Sequence, residues 1–315
     1  MQRLIQPIKD TWKRKRVSIC SDGWSDRQRR PLINIMATSI GGPIFVKAID
    51  ASGNIKSMDY IAGIFLECIE EIGAANVVQI VTDNAANYKA AGQIIETKYP
   101  HIFWTPCVVH SLNLALKSMC EASQNSDYFS ECEWISKLVN EVHEVRNFIT
   151  NHNLALSIFK RHSKLNLLKV ADTRFASNII SAERLKAVKD ALEKMVMDSD
   201  WKSFKGYGKV IEGRARAIKE CIVNDNWWDQ IDFFLSFTKP ILDMLRAADK
   251  DSPPILHFIY DMWDSMIENE KKIIFEHEGL DVKSEKKHLS LMPFTKYWRL
   301  DGIRVTLFYI VWHIH

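Results

Sequence analysis

The chain has 315 residues, 47% of them hydrophobic, enough for a substantial core in one large domain or two ordinary ones. A charged fraction of 26% argues against global disorder, and a net charge of +3 is too small to identify a nucleic-acid binder by itself. Six cysteines with no CxxC pair read as the scattered thiols of a reducing compartment.

The N-terminus shows no apolar signal-like run, and the longest apolar stretch, 305–314, is too short to span a bilayer. A soluble intracellular protein is expected. Before Pro31 the basic residues Arg3, Lys9, Lys13, Arg14, Lys15, Arg16, Arg27, Arg29 and Arg30 face only Asp10, Asp22 and Asp26. That excess suits phosphate contact, a nuclear import signal or an ordinary solvated face.

Val17–Ser21 predicts a short strand running into Asp22-Gly23. Residues 31–39 and 44–50 predict two more, joined by a Gly41-Gly42-Pro43 turn, so an antiparallel meander is expected. Asp59 reads as the cap of a helix whose apolar residues recur from Ile61 to Ile72, with Gly73 as its stop. Residues 76–82 form a continuous apolar strand of the kind buried on both faces, ending in Asp83. A helix over 85–99, a strand over 102–105 and a helix from Val109 to Met119 follow. The order β-β-β-α-β-α-β-α is an α/β mixed sheet with flanking helices, that of the RNase H-like fold. From Ser130 onward only helical periodicity is visible, with expected breaks at Lys239-Pro240 and at residues 252–254.

Two aspartates follow strands in this reading. If their strands are neighbours, Asp22 and Asp83 bring two carboxylates together, as a site for one or two Mg²⁺ ions in phosphoryl transfer would. Taken singly, each is an ordinary turn or helix-cap residue. Cys107 and His110, three apart, could ligate zinc, but His101 and Cys120 stand at no standard spacing for the two further ligands. His110 reads better as a polar neighbour of the acids or of a phosphate. Arg174 could fork onto a phosphate and Phe175 stack a base, against a plainer reading of Asp172 as a cap and Phe175 as core. Trp104, Trp134, Trp201, Trp227, Trp228, Trp263 and Trp298 read as core aromatics.

Five ordered stretches, SDGWSD at 21–26, AIDASGNIKS at 48–57, NVVQIVTDNAANYKAAG at 76–92, WTPCVVHSLNLAL at 104–116 and DTRFASN at 172–178, together resemble hAT-superfamily transposases. More narrowly, they resemble the plant transposase-like proteins carrying the domain of unknown function 659. The resemblance implies an RNase H-like core with an Asp-Asp-Glu triad, using Mg²⁺ or Mn²⁺ to cut and rejoin DNA. Asp22 matches the first acid and Asp83 the second. Cys107 and His110 match a Cys/Asp-x-x-His motif beside the active site, and Arg174-Phe175 an Arg-Trp motif with Phe in place of Trp. Glu183, Glu212 and Glu268 are the available acids, none in the family's context for the third, and the chain is expected to stop inside the family's helical insertion. A transposase-type core over 1–190 and an incomplete helical region over 191–315 are therefore expected. The implied protein is nuclear or nucleo-cytoplasmic. It binds DNA or other hAT-like proteins, but neither membranes nor a small-molecule substrate, and it is catalytically incomplete, with no cofactor unless catalytic. The alternatives are an active metal-dependent transposase or nuclease whose third acid lies outside this chain, and a non-catalytic protein-interaction module.

Overall fold

The computed structural model describes residues 2–122, 124, 129–167, 176–249 and 256–279. They divide into two compact units. One is built on the chain up to Leu112 with residues 247–261, the other on Asn113–Arg246 and the described residues 262–279.

The first unit opens with two short helices, α1 (Gln2–Lys9) and α2 (Trp12–Lys15). Trp12 is buried, and Arg16 takes a left-handed φ of 58° while its guanidinium donates to the Ala75 carbonyl. Strands β1 (Val17–Ser25), β2 (Pro31–Ser39) and β3 (Gly42–Asp50) form the expected meander. Helix α3 (Met58–Ile72), a 3₁₀ turn, β4 (Val77–Thr82), α4 (Ala86–Lys98), β5 (Phe103–Pro106) and α5 (Val108–Cys120) complete the series. The sheet has five strands in the order β3-β2-β1-β4-β5; the meander is antiparallel, and β4 lies parallel to both β1 and β5.

One face of this sheet supplies the core. Ile19, Ile33, Ile35 and Ile80 cluster with Ile61, Phe65 and Ile69 of α3 and with Tyr88, Ala91 and Ile95 of α4. Alternation puts Ser18, Cys20, Asp22 and Trp24 on the opposite face. There a polar ladder crosses three strands. The Ser18 hydroxyl donates to the Gln79 side-chain oxygen at 3.0 Å, and the Gln79 amide donates to Thr105 Oγ1 at 2.7 Å. Gln79 and Val81 leave β4 buried mainly on its helix-covered side, short of the burial on both faces that its apolar run predicts.

Two boundaries differ from expectation for local reasons. Gly23 looks like a turn, yet the ladder runs on through Trp24↔Leu32 and Ser25↔Pro31, so Asp22 sits inside β1 opposite Asn34 rather than after the strand. The cap of α3 is Ser57, whose side chain accepts the Tyr60 N–H at 3.2 Å. Asp59 instead lies in the first turn, where a carboxylate faces the positive end of the helix dipole.

Among its described residues the second unit is helical throughout, with α6 (Phe129–Asn151), α7 (Asn153–His162), α8 (Ser177–Ala187), α9 (Lys189–Met197), α10 (Lys209–Ile222), α11 (Asp225–Ala248) and α12 (Leu256–Glu278). Phe148, Trp201 and Phe204 form an aromatic centre with ring separations of 4.9–6.0 Å. The expected break at Pro240 does not occur, and α11 passes through it. Thr238 Oγ1 donates to the Phe234 carbonyl at 2.7 Å on the turn before it. The break expected at residues 252–254 and Trp298 lie outside the described residues. No helix among the described residues is long and apolar enough to cross a membrane.

Candidate functional site

The parallel register of β1 and β4 pairs Ile19 with Ile80 and Cys20 with Val81. That ladder ends there; Asp22 lies two residues further along β1, and Asp83 directly follows the last residue of β4. Period-two alternation turns both side chains to the face opposite α3 and α4.

Asp83 is held by its surroundings. Thr82 Oγ1 donates to the Asp83 carbonyl at 2.8 Å and accepts the buried Trp104 indole N–H at 2.9 Å. The Thr82 carbonyl accepts the Cys107 N–H at 2.7 Å. The Asp83 carboxylate accepts one N–H, from Ala85 at 3.3 Å. Asp83 is not the cap of α4, because Ala85 holds that position with no side-chain bond. The carboxylate is thus left for another partner.

Tyr88 senses the charge of both acids. It is 4% exposed, packs edge-on to Phe65, and its hydroxyl has no hydrogen-bond partner. Burial pushes its phenol up to about 12, and the charges of Asp83 and Asp22 add to the rise. One hydroxyl therefore lies in the field of both carboxylates.

Cys107 borders the same site. Burial raises its thiol pKa, Asp22 adds to the rise, and the backbone N–H groups of His110 and Val109 work against it by donating to the sulfur. The Cys107 carbonyl accepts the Ser111 N–H at 3.0 Å, so Cys107 opens α5 as a sulfur cap. Its spacing from His110 is that of the first helical turn. A raised thiol pKa makes Cys107 a poor nucleophile at neutral pH. His101 is engaged elsewhere, 3.0 Å from the Ala74 carbonyl.

Among the described residues no group of three or more His, Cys, Asp or Glu side chains could hold a metal ion. Glu183, Glu212 and Glu268 all belong to the second unit. There Glu183 faces Arg246 at 3.7 Å, Glu212 faces Arg216 at 3.8 Å, and Glu268 is exposed. Arg174 and Phe175 lie outside the described residues. Of the N-terminal basic residues, Arg16 serves the fold through Ala75, Arg30 pairs with Asp26 at 2.8 Å, and Lys13, Arg14 and Lys15 are exposed.

Two neighbours of the site escape a reading by motif. Tyr88 shares the buried phase of α4 with Ala91 and Ile95, a signal that helical spacing offers. Trp104 reads as core but also supports Thr82.

The first unit is thus a mixed α/β domain in which Asp22 lies on β1 and Asp83 directly follows the neighbouring strand β4. Residues 1–145 match the family model described as Domain of unknown function (DUF659), a family associated with hAT-like transposase-derived proteins. No curated protein matches the chain.

Proposed function

We propose that this is an hAT-transposase-derived, nucleic-acid-binding protein that does not complete strand transfer alone. The observation that carries the reading is the β1–β4 register, which pairs Cys20 with Val81 and, extended by two residues, would level Asp22 with Asp83. The strand order β3-β2-β1-β4-β5 supports an RNase H-like core, and the DUF659 match supports the transposase origin.

Two carboxylates fit Mg²⁺ or Mn²⁺, since Mg²⁺ is commonly held by one or two protein carboxylates with waters and substrate phosphates around them. Asp22 and Asp83 would hold the ion, which supplies charge neutralisation at a phosphodiester. The Cys107–His110 turn walls the site. Arg174 and Phe175 enter as phosphate and base contacts through the family motif they match. Two acids with no third beside them among the described residues favour binding over cutting, because metal geometry supplies much of the transition-state stabilisation. DNA and other hAT-like proteins are the partners this origin suggests, with a nuclear or nucleo-cytoplasmic location.

Anisotropy of labelled duplex and single-stranded DNA across a salt series, with and without Mg²⁺, tests the reading. Binding should weaken steeply with salt. Asp22→Asn combined with Asp83→Asn should abolish the Mg²⁺ dependence, and no nicked product should form on a gel. Absence of binding at low salt in both conditions refutes the reading and favours a protein-interaction module. Cleavage by the chain alone favours an active nuclease.

A further inference from the structure

We propose that the β1–β2 hairpin beyond Asp22 is a contact for single-stranded DNA, with Trp24 stacking an unpaired base and Arg27 and Arg29 holding backbone phosphates. The inference rests on the nucleic-acid reading above and adds a surface to it.

Of the described tryptophans Trp24 alone is exposed, at 47%. The others are buried or, in the case of Trp134, half-buried and stacked on Phe233. Trp24 is not exposed through irregular backbone, since it pairs with Leu32 inside the β1–β2 ladder. That ladder is unbroken from Ser18 to Ser25, so alternation puts Trp24 on the face of Asp22, two residues and roughly 7 Å further along the strand. From Asp22 to Ser25 every residue of β1 is exposed. The indole therefore stands open on a regular strand, next in line after the first acid.

The turn beyond it is tightly built and cationic. Arg27, Gln28 and Arg29 form a three-residue loop closed by Asp26 and Arg30. The Asp26 N–H donates to the Arg30 carbonyl at 3.1 Å, and the Arg29 N–H to the Asp26 carbonyl at 2.9 Å. The Asp26 carboxylate accepts the N–H groups of Gln28 and Arg30 and pairs with the Arg30 guanidinium at 2.8 Å. The acid of the turn is thus engaged by Arg30. Arg27 and Arg29 are exposed and enter no ion pair among the described residues. Arg29 also takes a left-handed φ of 61°. Glycine is the residue that such a loop ordinarily places there, because a Cβ makes that conformation unfavourable. The chain carries a cation at a position where the fold alone favours glycine.

An open aromatic face and a cationic tip on one hairpin suit a polyanion with free π faces. Two uncompensated arginines select a polyanion over an apolar protein surface. Single-stranded DNA offers unpaired bases and phosphates together. A duplex keeps its base faces stacked and offers phosphates alone.

The test is anisotropy of labelled oligo(dT) and of a duplex of equal length over a salt series. The unsubstituted chain is compared with Trp24→Ala, Trp24→Phe, Arg27→Ala and Arg29→Gly, with circular dichroism and urea midpoints reporting folding. Trp24→Ala should weaken single-strand binding by about five- to 150-fold, the range for one lost base stack, and leave duplex binding nearly unchanged. Trp24→Phe keeps a ring and should restore part of the loss. Arg27→Ala and Arg29→Gly should each lower the slope of log K against log salt on oligo(dT) by about 0.7. Arg29→Gly should at the same time raise the urea midpoint, a divergence of stability from affinity that a merely structural residue would not give. If the unsubstituted chain binds while Trp24→Ala and Arg29→Gly keep its single-strand affinity and slope, the hairpin is not a contact and the nucleic-acid reading stands without it. If Trp24→Ala weakens duplex and single strand equally, no base stacks on the indole and the proposal fails. If the unsubstituted chain binds neither DNA at low salt, both readings fall.

Discussion

Gly92 lies in the middle of α4, where alanine would normally help. Host–guest values give Ala about 1 kcal/mol over Gly in a helix interior. Here a Cβ at position 92 would stand 2.3 Å from Trp104 Cγ, 2.6 Å from its Cβ and 2.7 Å from its Cδ1. The indole would have to retreat by about an ångström to reach ordinary contact. It has little freedom, being 7% exposed and tied through Nε1–H to Thr82 Oγ1 at 2.9 Å. Its backbone N–H is also held, by the Glu96 carboxylate at 2.9 Å. Overpacking of this kind costs about 1–3 kcal/mol, and loss of the buried indole hydrogen bond about 1 kcal/mol more. Set against the propensity gain, Gly92→Ala should destabilise the first unit by about 1–3 kcal/mol. Urea unfolding followed by tryptophan fluorescence should show a lower midpoint at unchanged slope. Because Thr82 also donates to the Asp83 carbonyl, the variant should bind DNA more weakly at urea-free equilibrium as well. A variant as stable as the parent, or more so, would show that propensity wins and that the wedge reasoning is wrong.

Pro240 has no N–H to give inside α11, and its ring crowds the Ser236 carbonyl one turn back. Pro240→Ala should therefore raise the stability of the second unit by about 1–2 kcal/mol, read as a higher melting temperature; a fall would mean that the ring's packing matters more than the helix. The Asp26 carboxyl is held below its ordinary range, first by the Arg30 N–H and then by the Arg30 side chain, and Asp198 likewise by the Asp200 N–H and His162. A depressed folded pKa gives stability that is fully present above the unfolded value near 4 and is lost as pH falls through the folded value. Urea midpoints should thus decline below about pH 4. Asp26→Asn and Asp198→Asn together should flatten that decline, and an unchanged profile would assign it to other carboxylates.

The architecture of the first unit is legible because its strands alternate cleanly and its helices carry apolar residues at regular spacing. Residues 31–39 read as a strand because both of their boundaries coincide with turn residues. Asp22 is misplaced for the same reason, since Gly23 next to it imitates a turn while the pairing with Leu32 keeps the strand extended. Pro240 misleads in the opposite way. Local rules end a helix there, but burial of Phe237, Ile241 and Leu242 on one face holds α11 together. The neighbouring of β1 and β4, on which an approach of Asp22 to Asp83 depends, follows from strand order. The placing of Tyr88 does not, because its nearness to Gly23 is a tertiary contact between segments far apart in the chain.

The ladder Ser18–Gln79–Thr105 bears on how reliably the site assembles. Most of β4 is valine and isoleucine, so burial alone barely distinguishes the native pairing from one slipped by two residues. Such a slip would move Asp83 along β1 by about 6.6 Å and separate it from Asp22. It would also carry the Gln79 amide away from Ser18 and Thr105, forfeiting both hydrogen bonds. A slip of one would turn that amide into the apolar core, at about 1–3 kcal/mol for an unpaired group. A single glutamine in an apolar strand thus acts as a proofreader of chain alignment, and an approach of the two carboxylates depends on that check.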